Sequence, residues 1–157
     1  MRIKLLCVGK MKDPSLQGVL QEYLKRVRHY TPLTYQEIRA EKRKKTDNDV
    51  LARQRECAHL RKAMAAQEML VTLDERGTQY SSEEFSRFIA RHQARGAVKT
   101  LTFATGGATG VSDEFLQESD VVLSLSKMTF PHRLCRIILV EQLYRAYTIL
   151  AGESYHK

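Results

Sequence analysis

The 157-residue chain has no tryptophan, three prolines and three cysteines, and no apolar run nears the roughly 18 residues that a membrane span needs. Each shortage excludes something. Cys7, Cys57 and Cys135 are odd in number and far apart, which argues against a disulfide framework and for a reducing, cytoplasmic setting. No C-x-x-C occurs, and His29, His59, His92, His132 and His156 form no H-x-x-x-H, so no metal site is expected. The opening MRIKLLCVGKMKD is too short and meets charge too soon for a signal peptide, and no membrane association is expected. No proline- or glycine-rich linker and no internal repeat divides the chain, so residues 1–157 are expected to form one domain.

Acid is scarce in the first part of the chain. Residues 1–62 hold 16 basic and 7 acidic side chains, whereas residues 63–157 hold 10 and 11, so the whole excess of +8 comes from the first two-fifths. Such asymmetry suits a polyanionic partner, an anionic surface or simply a solvated face. The concentration is densest in Arg39, Lys42, Arg43, Lys44 and Lys45, continuing through Arg53, Arg55, Arg61 and Lys62. Contacts of that kind would give salt-dependent affinity for nucleic-acid phosphates without base choice.

Apolar alternation predicts strands over 3–8, 33–38, 69–73, 100–104 and 121–125. Leu16, Val19, Leu20, Tyr23, Leu24 and Val27 repeat at helical spacing, and 50–64 reads as a second helix with Asp47 or Asn48 as N-cap. Ser81 and Ser82 followed by two glutamates open a third helix that Gly96 ends, and Ser112 opens a short fourth. A long final helix begins with Pro131 in its first turn and stops at Gly152. Five alternations of strand and helix predict an α/β fold, a mainly parallel sheet flanked by helices.

Ligands of such sheets bind beyond the carboxyl ends of the strands. Three of those ends carry unusual residues: Leu73-Asp74-Glu75-Arg76-Gly77, then Gly106-Gly107-Ala108-Thr109-Gly110, then 124–131 with Lys127 as its only charge. The glycine segment matches neither G-x-G-x-x-G after a first strand nor a P-loop, and it suits either a ligand pressed on the backbone or a tight turn. His132 and Arg136 share a face at the start of the last helix. Each is also an ordinary capping or salt-bridging residue when taken alone.

The residues Leu73-Asp74-x-x-Gly77, Gly106-Gly107-x-x-Gly110, Ser124-Leu125-Ser126-x-x-Thr129-x-Pro131-His132-x-Leu134-x-Arg136, Glu141-Gln142-Leu143-Tyr144-Arg145-Ala146 and Tyr155-His156-Lys157, in this order, closely resemble the H-type family of ribosomal RNA large-subunit methyltransferases in the SPOUT superfamily. The opening Ile-Lys-Leu-Leu-Cys-Val-Gly-Lys and the length match as well. The resemblance implies methyl transfer from S-adenosyl-L-methionine to N3 of a pseudouridine in 23S rRNA, on the assembled 70S ribosome. It also implies a homodimer and a C-terminal trefoil knot within residues 63–157. Cofactor contacts would fall on Leu73, Gly106, Leu125, Ser126, Lys127, Met128, Thr129 and Phe130. The chain departs from the family at Thr105, where Ile or Val is usual, and at Glu153-Ser154, where a proline usually precedes Tyr-His.

An imide nitrogen keeps its proton at neutral pH, so such a site must help remove it or stabilise the anion. His132 or His156 could accept the proton and Arg136 could stabilise the charge, while Tyr155 would stack or hydrogen-bond near the substrate. The competing readings are a non-catalytic RNA- or ribosome-binding module and a nucleotide-dependent oxidoreductase.

Overall fold

The computed structural model describes residues 1–42, 48–94 and 96–156. Arg43, Lys44 and Lys45 of the basic run, Asp47 as a possible cap, and Lys157 lie outside the described residues. Five strands alternate with five helices: β1 (Arg2–Val8), α1 (Pro14–Arg28), β2 (Leu33–Ile38), α2 (Asp49–Lys62), β3 (Met69–Gln79), α3 (Ser82–Ala94), β4 (Thr100–Thr105), α4 (Asp113–Gln117), β5 (Val121–Ser124) and α5 (His132–Leu150). The sheet is parallel throughout, in the order β2-β1-β4-β3-β5. The fold is the expected single α/β domain.

Strand periodicity divides the core. Ile3, Leu5 and Cys7 point to one face, where they pack with Phe103, Val71 and the apolar stripes of α1, α3 and α5. Leu6 and Val8 point the other way, against Cys57 and Leu60 of α2 and Phe115 of α4. The basic first part is therefore no appendage, since β1 runs inside the sheet between β2 and β4.

Local chemistry sets most boundaries. Asp13 caps α1 by accepting from the Ser15 and Leu16 amides, Asn48 caps α2 through Val50, and Ser112 caps α4 through Phe115. Gly152, at φ +70°, ends α5: its amide reaches the Ile149 carbonyl and that of Glu153 reaches Thr148, the paired bonds of a Schellman motif.

Two boundaries differ from the sequence expectation. Strand β3 does not stop at Leu73; its register with β5 breaks after Leu73↔Leu123 and resumes at Thr78↔Leu123, so Asp74 to Gly77 form a bulge within a longer strand. Gly77 is required there, because a Cβ would meet the Val122 carbonyl oxygen at 2.5 Å. Pro131 is the N-cap of α5 and makes no side-chain cap bond, so the helix itself starts at His132.

Candidate functional site

The β3 bulge, the 105–111 loop and the 125–132 segment meet at the carboxyl ends of β3, β4 and β5 around a cavity of about 970 Å³. Its apolar walls come from Leu73, Leu123, Leu125 and Phe130. Ion pairs and hydrogen bonds tie the three segments together. Arg76 grips Asp74 through Nε at 2.8 Å and reaches Asp113 on α4 through Nη1 at 2.9 Å. Burial pushes the Asp74 carboxyl up, but the Arg76 bonds and charge outweigh it and hold that carboxyl below its ordinary value. Across the cavity, Thr129 donates to Glu75 at 3.0 Å, joining the bulge to the segment before α5.

That segment is stiffened from within. The Ser124 hydroxyl donates to the Ser126 carbonyl at 2.9 Å, and the Met128 amide donates to the Ser126 hydroxyl at 3.0 Å. The glycine loop is shaped by its own tightness: a Cβ on Gly106 would collide with the Gly110 backbone, and one on Gly107 would come within 2.9 Å of Glu56 Oε2. The tight-turn reading thus accounts for Gly106, and close packing against α2 accounts for Gly107, while the loop still forms a cavity wall. Thr105 ends β4, buried between Cys7 and Leu73 in register.

The structure brings together Leu73, Gly106, Leu125, Ser126, Met128, Thr129 and Phe130 of the residues expected to contact a cofactor. Lys127 is exposed and does not form part of the wall. The four residues expected in catalysis are spread apart. His132 lines the cavity, where burial and the charges of Arg136 and Arg133 push its pKa below 6.5. Arg136 does not face the cavity. It is fully buried, donating to the Val8 carbonyl, to the Gly9 carbonyl at 2.9 Å and to the Tyr35 hydroxyl at 3.3 Å.

Tyr155 and His156 dock elsewhere. The Tyr155 hydroxyl lies 3.1 Å from Glu141 and 3.3 Å from the Tyr23 hydroxyl, and the Arg145 guanidinium sits 4.7 Å from its ring centre. His156 Nε2 is 2.7 Å from Glu83, whose carboxyl is pulled down to about 2 by that bond and by Ser81. The Tyr30 hydroxyl donates to Glu153 at 2.7 Å, so the residue that departs from the family pattern helps hold the tail down. Arg145 lies 13 residues beyond His132 on α5, or about 20 Å at 1.5 Å per residue. The chain's own tail is thus docked away from its own cavity.

Sequence reasoning missed Arg53, which lines the cavity from α2. The available signal was helical phase: Arg53, Cys57 and Leu60 lie on one face, and the last two are buried. Of its expected partners on a basic face, Arg61 is instead bound through a two-pronged bridge to Glu118, at 2.7 and 2.8 Å.

Comparison with known proteins agrees with this geometry. A family model described as "Predicted SPOUT methyltransferase" matches residues 1–156. The chain belongs to the SPOUT methyltransferase family. Its similarity to individual members of that family runs from end to end. It is 44% identical over 156 residues to the ribosomal RNA large subunit methyltransferase H of Geobacter metallireducens, and 43% identical to that of Geobacter sulfurreducens, each covering 99% of both chains. The protein of the same name from Clostridium kluyveri is 37% identical, covering the whole of both chains. A methyltransferase of this family needs a methyl donor. The cavity offers apolar walls from Leu73, Leu125 and Phe130 beside the carboxylates of Asp74 and Glu75. Among the described residues no cluster of His, Cys, Asp and Glu could hold a metal ion, and no helix is long and apolar enough to cross a membrane.

Proposed function

We propose that this chain methylates N3 of a pseudouridine in 23S rRNA, using S-adenosylmethionine and acting on the assembled 70S ribosome in the cytoplasm. The observation that carries this reading is the convergence of seven cofactor-contact candidates from three separate segments on one cavity, in a chain that matches its family over residues 1–156. When bound, S-adenosylmethionine supplies an electrophilic methyl group. The chain's own residues hold the donor, orient the acceptor base and take the imide proton.

Leu73, Gly106 and residues 125–130, except Lys127, would hold the donor. Their placement on a stiffened segment supports attack geometry, where most of the acceleration in such a displacement arises. His132 is the proton acceptor available within the chain's own cavity. Its depressed pKa keeps the imidazole neutral at pH 7, ready to take the N3 proton on a ring nitrogen. Arg136 acts as a positioning residue, since it lies outside the cavity wall and its two terminal nitrogens are spent on the Val8 and Gly9 carbonyls.

We place Tyr155 and His156 at the cavity of a second copy in a homodimer, with the knot typical of the family around the cofactor segment. The distance along α5 between the tail's dock and His132 supports this, as do exposed Leu134 and Leu150 on α5 and Val19 on α1. In this arrangement His156 of the partner copy is the second candidate for proton acceptor. Calorimetry with S-adenosylhomocysteine tests the donor site. Micromolar binding at one site per chain is expected, whereas no binding would favour a non-catalytic RNA-binding module.

A further inference from the structure

The cavity holds a guanidinium that none of the roles above uses, although its charge adds to that of Arg76 in lowering the Asp74 carboxyl. Arg53 projects from α2 into the wall, half-buried, and its Nε is buried with no hydrogen-bond partner among the described residues. A buried, unspent donor on a charged group is costly unless something completes it. Arg133 and Arg136 also carry a buried Nε without a partner among the described residues, but neither lines the cavity, and the remaining cations nearby are engaged or exposed. Arg76 is bound to both Asp74 and Asp113, Lys127 is exposed outside the wall, and burial keeps the His132 ring neutral.

The surroundings narrow what completes Arg53. The same turn of α2 lies against the glycine loop, because Glu56 stands where a Gly107 Cβ would go and Cys57 Sγ accepts from the Ser112 amide at 3.3 Å. The acids of the cavity match the sulfonium and ammonium of the methyl donor, and the apolar side chains match its purine. The donor's carboxylate is left needing a cation. An RNA phosphate is the other anion in reach of a basic helix, but Arg53 lines the cavity formed at the carboxyl ends of the strands. Exposed Arg39 and Arg55 are better placed for a polynucleotide backbone.

Resting on the proposed donor site, we propose that Arg53 binds the carboxylate at the amino-acid end of S-adenosylmethionine and so discriminates the intact donor from adenosine fragments that lack it. A charge-assisted guanidinium–carboxylate bond is directional and suits such discrimination.

The test is calorimetry with two ligands, S-adenosylhomocysteine and 5′-methylthioadenosine, which shares the adenosine and the thioether but has no carboxylate. For Arg53→Met, S-adenosylhomocysteine binding is expected to weaken about tenfold or more, while methylthioadenosine changes less than about twofold. Arg53→Lys, which keeps the charge without the fork, should fall between and guards against misfolding of the Met variant; a thermal melt of each confirms the fold. Equal weakening for both ligands would overturn the assignment, since Arg53 would then only shape the cavity. Unchanged affinity for both, with a shallower salt dependence of ribosome binding, would overturn it in favour of phosphate. If the unaltered protein bound neither ligand, the donor site itself would fail, a result distinct from the other two.

Discussion

Arg136 on α5 donates through Nη1 to the carbonyl oxygen of Gly9 at 2.9 Å, fastening the helix that begins at His132 to the end of β1. Its Nη2 holds the Val8 carbonyl, and the side chain is fully buried. Replacing it with alanine strands two carbonyls and a cavity, so Arg136→Ala is expected to lose about 3–5 kcal/mol in urea unfolding. A catalytic contact to the base would instead show as lost turnover at unchanged stability.

Gly106 and Gly110 occupy one loop for different reasons. A Cβ on Gly106 would strike the Gly110 backbone, whereas Gly110 has open space but φ of +72°. Gly106→Ala is expected to force the loop open and weaken S-adenosylhomocysteine binding about tenfold or more, because overpacking of this kind costs about 1–3 kcal/mol. Gly110→Ala should cost about 1 kcal/mol of stability from the left-handed backbone. Thermal melts and calorimetry on both variants separate the two effects.

The tail is docked by Tyr155 and His156 on α1, α3 and α5, away from the cavity. Truncation after Gly152 should therefore leave donor affinity within about twofold, the scale of a change that touches no ligand contact. Methyl transfer should disappear if a partner's tail completes the site. Full activity after truncation would remove Tyr155 and His156 from the mechanism.

His132 carries a pH signature. Its folded pKa lies below the ordinary 6.5, so the neutral ring is favoured by folding. That contribution is fully present above the unfolded value and is lost as the pH falls below it toward the folded value. An NMR titration should place the His132 midpoint below 6.5. Arg133→Ala should raise it, because one of the charges opposing protonation is gone.

Much of the architecture was legible because it is local. The strand over Leu33–Ile38 follows from alternation, and the α2 and α4 starts follow from capping residues. The β3 bulge was not, since Asp74 to Gly77 has the composition of a turn and only pairing to β5 keeps it in the sheet. The cavity walls were legible as loops after strands, a property of parallel sheets in general. The burial of Arg136 was not, because its partners Val8 and Gly9 lie more than a hundred residues away in sequence. Nor was the dock of the tail, which depends on Tyr23 and Glu83 from two other helices. Arg53 could have been separated from its basic neighbours by helical phase, but abundance of charge in 1–62 favoured a single role for all of them.

The most direct measurement is transfer of labelled methyl from S-adenosylmethionine to ribosomes lacking the modification. One methyl group per 70S particle is expected, on N3 of a pseudouridine in 23S rRNA, with free 23S rRNA a poor substrate. No incorporation into either 70S ribosomes or free rRNA, by protein that binds the donor, would contradict the proposed function.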